Sequence, residues 1–277
     1  MPDDVPAGLP RAGGGASWVV DLDGVVWLGG KPIPGAGDAI TLLRDAGARV
    51  LFASNNSSPT IGQLIQRLMA AGIAAAPEEI VTSGMAAAAM LDPSGHALVV
   101  GDDGVMEALA ARGVHATRAT DDGAGEDRFF DAVVVGYTRK FDYAVLARAS
   151  DAVRAGARLV GTNEDALLPT AEGLLPGTGA ILAAVATASG ARPEVAGKPH
   201  PPLAALIGER VERVAAVVGD RPSTDGALAR LLNAPYALVL TGVTAHDSED
   251  LDPAPDFVGA DLRAVAEAAT GHAHPER

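Results

Sequence analysis

Short apolar runs alternate along this chain with stretches whose apolar residues recur at helical spacing. Residues 19–21 read as a buried strand, and residues 35–46 follow with helical spacing. Arg49-Val50-Leu51-Phe52-Ala53-Ser54 is a second strand. A helix is expected from about 60 to 71, with Ser58 as its N-cap and Pro59 in its first turn. Residues 79–83 form a weaker strand, and 97–100, 132–135 and 158–161 are stronger ones with helices between them. Gly101-Asp102-Asp103-Gly104 reads as a strand-to-helix turn, and 178–188 as a buried helix of small residues. Runs at 214–218, 237–240 and 257–258 complete the series. Strands alternating with helices predict an α/β fold, a doubly wound parallel sheet covered on both faces. In such sheets ligands gather at the carboxyl ends of the strands.

The polar residues at those ends carry the chemistry. The first run ends as Trp18-Val19-Val20-Asp21-Leu22-Asp23-Gly24. Strand side chains alternate, so Asp21 and Asp23 point the same way. At ~4 Å two such charges repel by roughly 1 kcal/mol in water and about 4 near a protein surface. A hard divalent cation bound by oxygen relieves that repulsion; the bland alternative is an acidic turn capping the next helix. Three other segments end in polar groups: Ser54-Asn55-Asn56-Ser57, Gly197-Lys198-Pro199, and Gly219-Asp220 with Asp225 close behind. Each alone reads as a turn, a surface cation or a helix cap. Together they supply what phosphoryl transfer from a monoester needs. A carboxylate can serve as nucleophile, and a second can move the proton. A cation and a hydroxyl can steady the phosphoryl oxygens.

Composition narrows the picture. The chain has 277 residues, a formal charge of −14 and a pI near 4.7, which argues against nucleic acid and anionic membranes as partners. With no cysteine, disulfides and thiol chemistry are absent. No apolar run approaches ~18 residues, so no spanning helix is expected and a cytoplasmic location is the default. Residues 1–16 are Pro/Gly/Asp-rich and are expected to be a disordered leader. Residues 117–128 read as an exposed loop, and His272 and His274 as part of a frayed tail.

The four segments, as a set and in this order, resemble those of the haloacid dehalogenase-like (HAD) phosphatase superfamily. The long insertion between the second and third resembles the large α/β cap of the branch holding NagD-like, 4-nitrophenyl-, pyridoxal-phosphate and glycerol-phosphate phosphatases. Cues of that branch include Gly161-Thr162-Asn163-Glu164-Asp165, Glu172-Gly173-Leu174-Leu175-Pro176-Gly177 and Leu240-Thr241-Gly242-Val243-Thr244. The resemblance implies a Rossmann-like core at 17–84 and 195–277, with a cap inserted at 85–194. It implies Asp21 as nucleophile and magnesium ligand. Asp23 becomes the general acid/base, with its carbonyl also on magnesium. Ser54, Asn55 and Lys198 hold the phosphoryl group, Asp220 ligates the metal, and Asp225 supports that shell. Asn163 and Asp165 are candidates for choosing the leaving group. Asp23 separates the chain from dehalogenases, which lack an acid there, and from ATPases, which carry Thr. Trp27, His200 and Gly226 depart from common family forms without removing a catalytic group. The implied activity is magnesium-dependent hydrolysis of small phosphate monoesters: glycerol phosphate, phosphoglycolate, pyridoxal phosphate, or sugar or nucleotide monophosphates. The alternative is a catalytically weak protein that binds phospho-metabolites through the same cradle. A homodimer through the cap is the implied assembly.

Overall fold

A computed structural model describes residues 8–121, 129–170, 173–244 and 250–271. Residues 1–7 of the expected leader, 122–128 of the expected loop, Glu172, His272 and His274 lie outside the described residues. The described part of the leader is not loose: Leu9 is buried, and the Ala12 N–H donates to the Ala269 carbonyl at 2.9 Å.

The chain forms two compact units. The first comprises residues 1–54, 64–81 and 207–277; the second comprises 55–63 and 82–206.

The first unit is built on a six-stranded sheet in the order Phe257–Gly259, Tyr236–Val239, Val214–Gly219, Ser17–Val20, Arg49–Ser54, Ile80–Thr82. Ser17–Val20 is parallel to both of its neighbours, with Val20 opposite Val218 on one side and Phe52 on the other. The Tyr236–Val239 strand is likewise parallel to Val214–Gly219 and to Phe257–Gly259. Ser17–Val20 and Val214–Gly219 are apolar almost throughout, which is what a strand buried on both faces requires. Because Ser17–Val20 sits between strands that come far before and far after one another in sequence, the sheet order reverses beside it, which is where such folds bind ligands. Aligned registers deliver residues 21–23 and 219–220 to the same end of the sheet.

The second unit has a five-stranded parallel sheet in the order Glu194–Val195, Arg158–Gly161, Ala132–Val135, His96–Val100, His115–Arg118. Leu98, Val100, Val133, Val135 and Leu159 pack against Val145, Ala149, Ile181, Leu182 and Val185 from the helices Tyr143–Arg154 and Thr178–Ser189. The Gly101–Gly104 segment joins the strand His96–Val100 to the helix Asp103–Ala111, the turn its sequence predicts. An antiparallel hairpin pairs Leu167–Thr170 with Gly173–Pro176.

One helix start differs from expectation. The helix Ile61–Ala70 is capped by Thr60, not Ser58. The Thr60 hydroxyl accepts from the Gln63 N–H at 3.2 Å, and Gln63 Oε1 accepts from the Thr60 N–H at 3.0 Å. This reciprocal pair satisfies two donors at once, which a lone Ser58 could not do. The Ser58 hydroxyl instead donates to the Tyr137 carbonyl at 3.3 Å.

Candidate active site

In the first unit, Asp21, Asp220 and Asp225 are buried, and each offers a carboxylate oxygen within 4.8 Å of the others. The first two arrive from neighbouring strand ends, since the Asp21 N–H still bonds the Val218 carbonyl at 2.9 Å. Asp225 arrives from the turn Pro222–Gly226, where its N–H donates to the Arg221 carbonyl at 2.8 Å and its Oδ2 accepts from the Arg221 N–H at 3.2 Å. Ser54 closes the Arg49–Ser54 strand at the same end of the sheet and is buried. Asp23 is half-buried, and its Oδ1 accepts from the Trp27 indole N–H at 2.9 Å.

The loop after Tyr236–Val239 wraps Asp220. Val243 donates its N–H to Asp220 Oδ2 at 2.6 Å, and the Thr244 hydroxyl donates to the Asp220 carbonyl at 2.6 Å. The Thr241 hydroxyl donates to the Gly24 carbonyl, also at 2.6 Å, and so ties this loop to the Asp21–Gly24 segment. Gly24 has φ 86°, and a Cβ there would lie 2.5 Å from Asp220 Oδ2. Any side chain at position 24 would therefore displace a carboxylate of the cluster. Tyr236 lies beneath the cluster with its hydroxyl 3.4 Å from the Gly219 carbonyl. Burial, then the charges of Asp225, Asp220 and Asp21, push its phenol above the ordinary tyrosine range, so it stays neutral beside three acids. The same ring accounts for Gly226, whose Cβ would meet the Tyr236 ring at 3.0 Å and Pro253 at 2.9 Å.

In the second unit, Asn55 organises the lysine segment. Its Oδ1 accepts from the Lys198 N–H at 2.7 Å, and its Nδ2 donates to the Lys198 carbonyl and to Asp165 Oδ2, both at 3.1 Å. Its own carbonyl accepts from the Ser83 hydroxyl at 2.6 Å and from Asn163 Nδ2 at 2.8 Å. The Asn55 side chain therefore sets the lysine backbone. Lys198 is buried. Asn163 is buried too, with its amide shared between the Asn55 carbonyl and the Thr178 hydroxyl, so its side chain braces the motif. Asp165 is half-buried. His200 finds a partner in Glu164, with Nε2 and Oε1 2.7 Å apart.

The sequence pattern missed three contributors: Trp27, Tyr236 and the 241–244 loop. The loop residues stood out only as a branch cue, because backbone N–H donors leave no mark in side-chain chemistry. Tyr236 sits in an apolar strand and reads as core.

Residues 18–115 match the family model described as haloacid dehalogenase-like hydrolase, and residues 195–265 match a second, HAD-hydrolase-like one. A D-glycerol 3-phosphate phosphatase of Mycobacterium tuberculosis is 39% identical over 258 residues, spanning 89% of this chain and 70% of that protein. An acid sugar phosphatase of Staphylococcus saprophyticus is 32% identical over 90% of this chain and 96% of its own length. The crystal structure of the Mycobacterium tuberculosis glycerol phosphate phosphatase in complex with magnesium superposes with a TM-score of 0.80 at 38% identity, covering 91% of this chain and 76% of that one. With strand-end aspartates, sheet order and sequence all in agreement, the chain belongs to the haloacid dehalogenase-like hydrolases, in the branch that includes the glycerol phosphate, acid sugar and 4-nitrophenyl phosphatases.

Proposed function

We propose that this phosphatase hydrolyses small phosphate monoesters through an aspartyl-phosphate formed on Asp21, with magnesium as its metal. The observation that carries the reading is the convergence of Asp21, Asp220 and Asp225 within 4.8 Å at one end of a parallel sheet. Three buried carboxylates that close repel one another strongly unless a cation lies among them. The donors are all oxygen, the set a hard divalent ion prefers. Asp21, Asp220 and the Asp23 carbonyl are the proposed ligands, and Asp225, fixed through the Arg221 backbone, supports them. Bound there, the ion offsets charge on the phosphoryl oxygens.

An Asp21 carboxylate oxygen attacks phosphorus, and the ester P–O bond breaks as Asp23 gives its proton to the departing alkoxide. The deprotonated Asp23 then takes a proton from water, which attacks the acyl phosphate and releases inorganic phosphate and free Asp21. We assign Lys198, Ser54 and the Asn55 N–H to neutralising and holding the phosphoryl group, and Asp165 to the choice of leaving group. Relatives named for glycerol phosphate, sugar phosphates and 5'-nucleotides support a compact polyol, sugar or nucleoside monoester as substrate.

The test is release of 4-nitrophenol from 4-nitrophenyl phosphate with and without magnesium. Metal-dependent release is expected, falling about 10³-fold or more in Asp21→Asn; in Asp23→Asn the loss of about 10²–10⁴-fold is expected on an alkyl ester such as glycerol 3-phosphate, whose alkoxide needs the proton. Release that survives in Asp21→Asn, or none from any monoester by the intact protein, would overturn the reading.

A further inference from the structure

Trp27 is buried beside the first motif, only 3% exposed, and has no part in the metal cluster. Its indole N–H is nevertheless aimed at Asp23 Oδ1, 2.9 Å away.

The backbone brings it there. The Leu22 carbonyl accepts from the N–H groups of Val25, Val26 and Trp27 at 3.3, 2.9 and 3.2 Å, and the Gly24 N–H donates to the Trp27 carbonyl at 2.7 Å. This coil returns Trp27 to Asp23, with which it forms a β-bridge. Trp27 then opens a hairpin in which Trp27–Leu28 pairs with Lys31–Pro32. Its two-residue turn is Gly29-Gly30 with φ 56° and 81°, the geometry a tight hairpin demands. The Ile33 N–H closes the far arm onto the Val26 carbonyl at 2.9 Å. The indole thus projects from a rooted element.

Burial alone does not explain the aim of the N–H. Trp18, fully buried on the adjoining strand, has an indole N–H with no hydrogen-bond partner among the described residues. This fold accommodates a buried, unpaired indole, so the Trp27–Asp23 bond reflects placement.

An indole N–H can only donate. The unprotonated oxygen of a carboxyl is the better acceptor, so this contact favours Oδ2 as the oxygen that carries a proton on Asp23. We propose that Trp27 is a positioning residue for the proton-transferring carboxyl. It holds Oδ1 as an acceptor and fixes the rotamer, so that Oδ2 gives the proton to the departing alkoxide and later takes one from water. The inference rests on the reading of Asp23 as general acid/base.

Leaving groups separate the possibilities. An alkoxide needs the proton as the P–O bond breaks, whereas 4-nitrophenolate departs with little help. The experiment compares kcat/KM for glycerol 3-phosphate and 4-nitrophenyl phosphate in the wild type, Trp27→Phe, and a variant carrying 3-benzothienylalanine at position 27, which keeps the bicyclic shape and lacks the N–H. An Asp23→Asn control calibrates the full effect. The expected result is a fall of about 10–10²-fold on the alkyl ester, part of what general acid catalysis supplies, carried by kcat with KM little changed, and a markedly smaller fall on the aryl ester. Equal losses on both esters, or unchanged alkyl-ester turnover in the benzothienyl variant, would overturn the role of Trp27. Should Trp27→Phe fail to fold, the isosteric variant decides. If Asp23→Asn itself shows no leaving-group dependence while the wild type remains active, the general-acid assignment falls, and this inference with it.

Discussion

At the scale of single residues, the site is shaped by neighbours that do no chemistry. Gly24 gives up a side chain so that Asp220 can reach the cluster, and Gly226 gives one up to the Tyr236 ring. Tyr236 in turn fills the space under three acids while remaining uncharged. Its raised pKa makes a stability prediction whose sign can be worked out. Below about pH 10 the phenol is neutral in folded and unfolded chains alike, so its contribution is constant and fully present. As pH rises further, the unfolded chain ionises while the folded one does not, and stability falls by about 1.4 kcal/mol per pH unit from this group. Alkaline denaturation of the wild type is therefore expected to be steeper above pH 10 than that of Tyr236→Phe. Phenolate absorbance that titrates at the ordinary tyrosine position, with the fold intact and absent from Tyr236→Phe, would contradict the burial argument. Asp21, Asp23, Asp220 and Lys198 stood out in the sequence as a set, because four separate segments deliver carboxylates, a hydroxyl and an ammonium although each alone reads as a turn, a surface cation or a helix cap. The second role of Asn55 did not, since a side chain that braces another loop looks the same in sequence as one that binds an anion.

At the scale of elements, the pattern of apolar runs located the central strands well and the peripheral ones poorly. Ala132–Val135 and Arg158–Gly161 match their expected spans, being short apolar runs bounded by polar residues. His115–Arg118 went unrecognised: it is an edge strand whose exposed or half-buried residues make no apolar run. The hairpin Leu167–Thr170 with Gly173–Pro176 was hidden by a proline in each arm. Caps were the finest detail at stake, and there the reciprocal Thr60–Gln63 bond outcompetes the single hydroxyl of Ser58. Thr60→Ala is expected to cost about 0.5–2 kcal/mol of stability, measured by urea denaturation. Ser58→Ala, which leaves that cap intact, is expected to cost less. The reverse order would restore Ser58 as the cap.

At the scale of the whole molecule, a chain of formal charge −14 handles an anionic substrate class. Overall field and local chemistry point in opposite directions, and the local arrangement decides. The first unit gathers carboxylates that call for a cation; the second buries a lysine whose backbone is clamped by Asn55. The α/β architecture and its parallel sheets were legible from alternation alone, because strand and helix periods differ and both recur through the chain. Among the described residues no helix is long and apolar enough to cross a membrane, as the absence of long apolar runs implied. The central claim remains covalent: the phosphoryl group passes through Asp21. Borohydride reduces an aspartyl phosphate to homoserine, so trapping during turnover of a phosphate monoester, followed by peptide mass spectrometry, tests it most directly. The account predicts homoserine at position 21 in the wild type and none in Asp21→Asn. Steady turnover with position 21 unmodified and homoserine at another carboxylate would contradict it.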